Sequence, residues 1–113
     1  MEIRKNGDTI WVELVDDLSF TNSHRIKERI LKYVDHDIKV LILNMSKVNF
    51  MDSAGIGLLI SLLKKMKSNG GKLIVEYPKL GVQKLLEMTK LDELMEIKKK
   101  PEPTTGSWDD FEN

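Results

Sequence analysis

Ile38-Lys39-Val40-Leu41-Ile42-Leu43-Asn44-Met45-Ser46-Lys47-Val48-Asn49-Phe50-Met51-Asp52-Ser53-Ala54-Gly55-Ile56-Gly57 is the stretch on which the reading of this chain turns. Val40-Leu41-Ile42-Leu43, with Ile38 before it, is a short β-branched and aliphatic run, as expected for a strand over residues 38–43 covered on both faces. Beyond it Ile56, Leu59, Ile60, Leu62, Leu63 and Met66 recur at helical spacing, which predicts a helix over 54–68. Ser53 falls where an N-cap is wanted, because its oxygen can accept from an unpaired amide of the first turn. Gly70-Gly71 supplies the helix stop, and Lys72 to Glu76 the next strand. Strand, helix, strand is a βαβ crossover, so the two strands pair in parallel.

Working outward, Thr9 to Val15 mixes alternation with β-branched and aromatic residues, and Asn6-Gly7-Asp8 is a turn signal. With Met1 to Lys5 as the partner strand this predicts an N-terminal β-hairpin. Thr21 or Asn22 is placed to cap a helix with a buried stripe of Ile26, Ile30, Leu31 and Val34, ending near Asp35-His36-Asp37. Pro78 suits the start of a helix carrying Val82, Leu85, Leu86 and Met88. A short helix with Leu91, Leu94 and Met95 follows, then a small edge strand at Ile97. From Lys98 onward Pro101, Pro103, Gly106 and polar residues replace any periodicity, so residues 98–113 are expected to form a flexible acidic tail after a domain of residues 1–97.

This α/β layering puts Ser53 just past the carboxyl end of a parallel strand, where open α/β sheets place functional loops. A phosphate on Ser53 would add about −1.5 to −2 charges at neutral pH. A helix N-terminus tolerates such a group, since free N–H groups and the dipole both favour an anion. The small patch of Met51, Asp52, Ala54, Gly55 and Ile56 would then turn from mostly apolar to anionic.

These residues resemble the STAS domain family, and within it the bacterial anti-sigma factor antagonists. Val48 to Gly57 is similar to the family's hydrophobic-Asp-Ser-small-Gly-hydrophobic-Gly block; Leu41 to Ser46, Gly70 to Leu73 and Leu85 to Asp92 are similar to further blocks in the same order. The likeness runs over roughly residues 8–97. It implies a small mixed, mostly parallel β-sheet with helices packed on it and an N-terminal β-hairpin. It also implies partner switching: the unmodified protein binds an anti-sigma factor that is itself a serine kinase and frees the sigma factor. Phosphorylation of Ser53 breaks that complex, and a serine phosphatase restores it. The implied partner surface is Met51, Asp52, Ser53, Ala54, Gly55 and Ile56, with Asp16 and Asp17. The resemblance makes the protein a kinase substrate and not an enzyme, with no cofactor, and places it in the cytoplasm. An alternative within the family is a binding or scaffold module, stressosome-like, lipid-transport-related or nucleotide-binding, without a Ser53 switch.

Two segments depart from the family pattern. Asp16 stands where a glycine is common and Ser19 where an acidic residue is usual, although Asp16 and Asp17 keep that loop acidic. Lys90 replaces a common glycine between the last two helices, which predicts a weakened left-handed helix stop.

Composition narrows the alternatives. One domain of 113 residues buries a core unaided. Without cysteine there is no disulfide framework, thiol nucleophile or thiolate metal site, which fits a reducing cytosol. Eighteen basic and eighteen acidic residues leave no net positive field to draw in nucleic acid or anionic lipid. The apolar runs are of strand length, so neither a membrane span nor a signal segment is expected. Lys98-Lys99-Lys100 reads as a solvated domain edge.

Competing chemistry fails residue by residue. Gly55-Ile56-Gly57 lacks the third glycine of a dinucleotide turn, and no Gly-x4-Gly-Lys-Ser/Thr occurs. A nucleophile elbow needs glycine where Met51 stands, and its histidine base must come from His24 or His36, both expected on the surface. Asp16-Asp17 and Asp109-Asp110 lack calcium-loop spacing, so no metal site is expected. Trp108-Asp109-Asp110-Phe111-Glu112 resembles a short docking motif, weighed against a plain solubilising terminus.

Overall fold

In a computed structural model, residues 1–100 are described. Residues 101–113, most of the expected acidic tail, lie outside the described residues. The chain opens with β1 (Glu2–Asn6) and β2 (Thr9–Glu13), joined by the turn at Gly7 and Asp8. Gly7 takes φ +63°, a conformation that glycine adopts without penalty. Then come α1 (Ser23–Leu31), β3 (Val40–Asn44), α2 (Ser53–Ser68), β4 (Lys72–Glu76), α3 (Leu80–Met88), a 3₁₀ turn (Leu91–Glu93) and β5 (Glu96–Lys98).

The strands form a single sheet in the order β1-β2-β3-β4-β5. Only the β1–β2 hairpin is antiparallel; β2–β3, β3–β4 and β4–β5 are parallel. This is the expected mixed, mostly parallel sheet with an N-terminal hairpin. Its two outer strands are polar: Glu2, Arg4, Lys5 and Asn6 are exposed on β1, and Glu96 and Lys98 on β5.

The sheet is covered on one face. Ile10 and Val12, Leu41 and Leu43, Leu73 and Val75 point alternately to the same side, where they are at most 1% exposed. They meet Ile26 and Ile30 of α1, Leu58, Leu59, Leu62 and Met66 of α2, and Val82 and Leu86 of α3 in one core. The other face carries Trp11, Val40, Ile42 and Ile74, all partly or fully exposed. The expectation that β3 is covered on both faces is therefore corrected. An unbroken apolar run hides the alternation that the register makes visible, since Val40 and Ile42 are as apolar as the buried Leu41 and Leu43.

Helix α2 ends in a tight stop. Gly71 donates to the Met66 carbonyl at 2.8 Å and Gly70, at φ +73°, to that of Lys67 at 3.0 Å. A Cβ on Gly71 would collide with the Lys39 carbonyl, so the strand after the helix passes hard against the residue preceding β3. Lys90 occupies the left-handed region at φ 61°, ψ 18° between α3 and the 3₁₀ turn. The left-handed stop is thus kept despite the missing glycine, correcting the expectation of a weakened one.

Candidate functional site

The loop from β3 to α2 is built from two segments laced together. Leu18 N–H donates to the Phe50 carbonyl and Asp52 N–H to the Leu18 carbonyl, both at 3.0 Å, pairing Leu18 with Met51 as an isolated parallel bridge. The Asp17 carboxylate then accepts from Asn49 N–H at 2.7 Å and Phe50 N–H at 3.2 Å. Asn22 closes the arrangement: its amide donates to the Asp17 carbonyl and its oxygen accepts from Ser19 N–H. Asn22 precedes α1 but makes no capping bond to it, because its side chain is spent on this loop.

Helix α2 begins one residue earlier than expected, and its cap is Asp52. One Asp52 oxygen accepts from Ala54 N–H at 2.8 Å and Gly55 N–H at 3.3 Å; the other accepts from Phe20 N–H at 3.1 Å. Ser53 is therefore the first residue of the helix, exposed, with the capping task done by its neighbour. Asp and Ser are about equally good N-caps and stand side by side here. The sheet end decides between them, because only Asp52 can reach both the helix and Phe20.

The expected surface is partly exposed and partly structural. Ser53 is exposed, Asp52, Ala54 and Ile56 are half-buried, and Met51 and Gly55 are buried. Met51 is drawn inward by the bridge to Leu18, and Gly55 is where α2 crosses that bridge: a Cβ there would lie 2.8 Å from the Cβ atoms of both Leu18 and Met51. Asp16 and Asp17 are exposed, but Asp17 serves as a strut under the backbone of residues 49–50, which no sequence spacing signals.

Phe20 and Phe50, not singled out from sequence as site residues, are 81% and 57% exposed on the two loops that meet at Asp52. The available signal was a phenylalanine in a loop, outside any periodic stripe. Phe20 also lines a groove of about 320 Å³ between α1 and α2 with His24, Lys27, Ala54, Gly57 and Ser61. Phe50 lines a second groove of about 270 Å³ against α3.

Other chemistry finds little support among the described residues. His24 and His36 are both exposed. Asp35, His36 and Asp37 bring metal-capable atoms within 4.8 Å of one another, but all three are exposed in a turn where Asp37 N–H bonds the Asp35 carboxylate. No helix among the described residues is long and apolar enough to cross a membrane.

The STAS domain model matches residues 1–104, and the chain belongs to that family. It is 22% identical over 102 residues to the anti-sigma-B factor antagonist of Bacillus subtilis, covering 90% of this chain and 93% of that one. A crystal structure from Thermotoga maritima, provisionally named an anti-sigma factor antagonist, superposes with a TM-score of 0.79 at 20% identity over 99% of this chain and 94% of the other. The Bacillus cell fate determinant SpoIIAA in its phosphorylated form superposes with a TM-score of 0.69 at 19% identity, covering 97% of both chains.

Proposed function

We propose that this chain is an anti-sigma factor antagonist controlled at Ser53. Unmodified, it binds an anti-sigma factor that is also a serine kinase, and the sigma factor is released. Phosphorylation of Ser53 ends that complex, and a serine phosphatase renews it. The protein is then a substrate and not a catalyst, and acts in the cytoplasm. The names of its relatives in Bacillus and Thermotoga support the role.

The observation that carries the reading is the placement of Ser53: an exposed hydroxyl on a prefolded pedestal, beside two exposed phenyl rings. The amides of Ala54 and Gly55 are already taken by Asp52. A phosphoryl group on Ser53 would have to displace that carboxylate to reach them, so it projects outward next to a like charge. The domain keeps its fold and the surface changes sign. Like charges forced together across an interface cost several kcal/mol, and each ~1.4 kcal/mol is tenfold in affinity. A loss of partner affinity on the order of a hundredfold follows.

The partner surface in this reading is Ser53 with Asp52, Ala54 and Ile56, backed by Met51 and Gly55 and extended by Asp16, Asp17, Phe20 and Phe50. The test is incubation with ATP and the serine kinases of the same bacterium, read by intact mass. One added phosphoryl group, absent in Ser53→Ala, is expected. No modification by any kinase that binds the protein would overturn the switch and leave the scaffold reading.

A further inference from the structure

The groove between Phe50 and α3 shares only Phe50 and Met51 with the partner surface of the phosphorylation reading. It is lined by Phe50, Val82, Leu85 and Met88, with Lys84 its sole charged lining residue. Met88 is 80% exposed and Phe50 57%, an apolar cluster of the sort that marks an interaction site. Its occupant is suggested by where the described chain stops. The Lys98 carbonyl accepts from Tyr77 N–H at 2.7 Å. Tyr77 lies four residues before the groove residue Gly81, so Gly81 is within about 14 Å of Tyr77 and within roughly 20 Å of Lys98.

Residues 101–113 follow directly. They carry Trp108 and Phe111, three apart, with Asp109, Asp110 and Glu112 around them. Trp108 is ten residues beyond Lys98, a root-mean-square reach of about 17 Å for a coil. An acidic segment with two large rings, tethered within reach of an apolar groove with a cationic rim, matches it in shape and in charge. We propose that residues 101–113 dock in cis onto this groove, with Trp108 and Phe111 on the Phe50–Leu85–Met88 surface and the acidic side chains toward Lys84. A short tether gives an effective concentration in the millimolar range, so even a contact with a dissociation constant of about 1 mM is half-populated.

The test uses the full chain. Its two tryptophans are Trp11 and Trp108, so Trp11→Phe leaves Trp108 as sole reporter. Acrylamide quenching of Trp108 is expected to be about twofold weaker than in the same chain carrying Met88→Asp, where the groove is charged against the segment. Met88 is exposed, and an unchanged circular-dichroism melt verifies that this variant folds. Equal quenching in the two chains overturns the proposal. So does protection that vanishes on dilution, which assigns the groove to a second copy. Neither readout involves a kinase, so docking and the Ser53 switch fail independently.

Discussion

The carboxylate of Asp17 accepts the backbone N–H of Asn49 at 2.7 Å, tying the loop after β2 to the turn before Ser53 across 32 residues of sequence. A residue expected to offer charge to a partner is thereby an internal fastening as well, and its loss is felt in stability.

Asp17→Ala removes the acceptor for two backbone amides, those of Asn49 and Phe50. Such bonds to a charged group contribute about 1.5–3 kcal/mol when shielded, and solvent exposure of this loop lowers that to about 1 kcal/mol. The melting temperature is expected to fall by about 4–8 °C. Asp17→Asn keeps an oxygen acceptor and should lose less than half of that, a comparison that thermal denaturation makes directly.

At Gly55, alanine brings a Cβ within 2.8 Å of Leu18 and Met51. Those contacts sit on the bridge between the two loops and cannot simply swing away. Gly55→Ala is expected to destabilise by about 1–3 kcal/mol, measured by urea denaturation. Gly57→Ala, where nothing lies within 4 Å, should be neutral or slightly stabilising.

Lys90 bears a left-handed backbone, φ 61°, that costs a side-chain-bearing residue about 1–2 kcal/mol. Glycine removes that strain and returns part of it as unfolded-chain entropy. Lys90→Gly is expected to raise stability by about 0.5–1 kcal/mol. A lower unfolding midpoint would show that Lys90 makes compensating contacts.

Ser53→Asp places a carboxylate on an exposed first-turn position. Its effect on stability should stay within about 0.5 kcal/mol, since the amides beneath are held by Asp52. Partner affinity, measured by calorimetry against the anti-sigma factor, should drop on the order of a hundredfold. Affinity equal to that of the unsubstituted protein would separate Ser53 from the interface.

The βαβ unit and the hairpin were legible because periodicity and turn residues act locally. Gly7 and Gly70 mark turns whose positive φ angles follow from residue type. What escaped was long-range. Whether Asp52 or Ser53 caps α2 depends on Phe20, and the role of Asp17 depends on Asn49. Neither pair shares a local pattern. Val40 and Ile42 misled for a different reason: an apolar side chain on an open sheet face looks the same in sequence as one in the core. The position of the left-handed stop was signalled only by the family's common glycine, and residue type misled there, since Lys90 adopts that conformation all the same.

The outer strands set how this domain tolerates crowding with its own kind. A mostly parallel sheet that, among the described residues, has one face without helices and two unpaired rims offers backbone amides to any neighbour, the route by which sheets grow into fibrils. Here one rim presents Glu2, Arg4 and Lys5, and the other is only three residues long and carries Glu96 and Lys98. Among the described residues, incoming copies meet charge they must desolvate and too little ladder to hold, which opposes edge-to-edge growth even though Trp11 stands exposed on the open face.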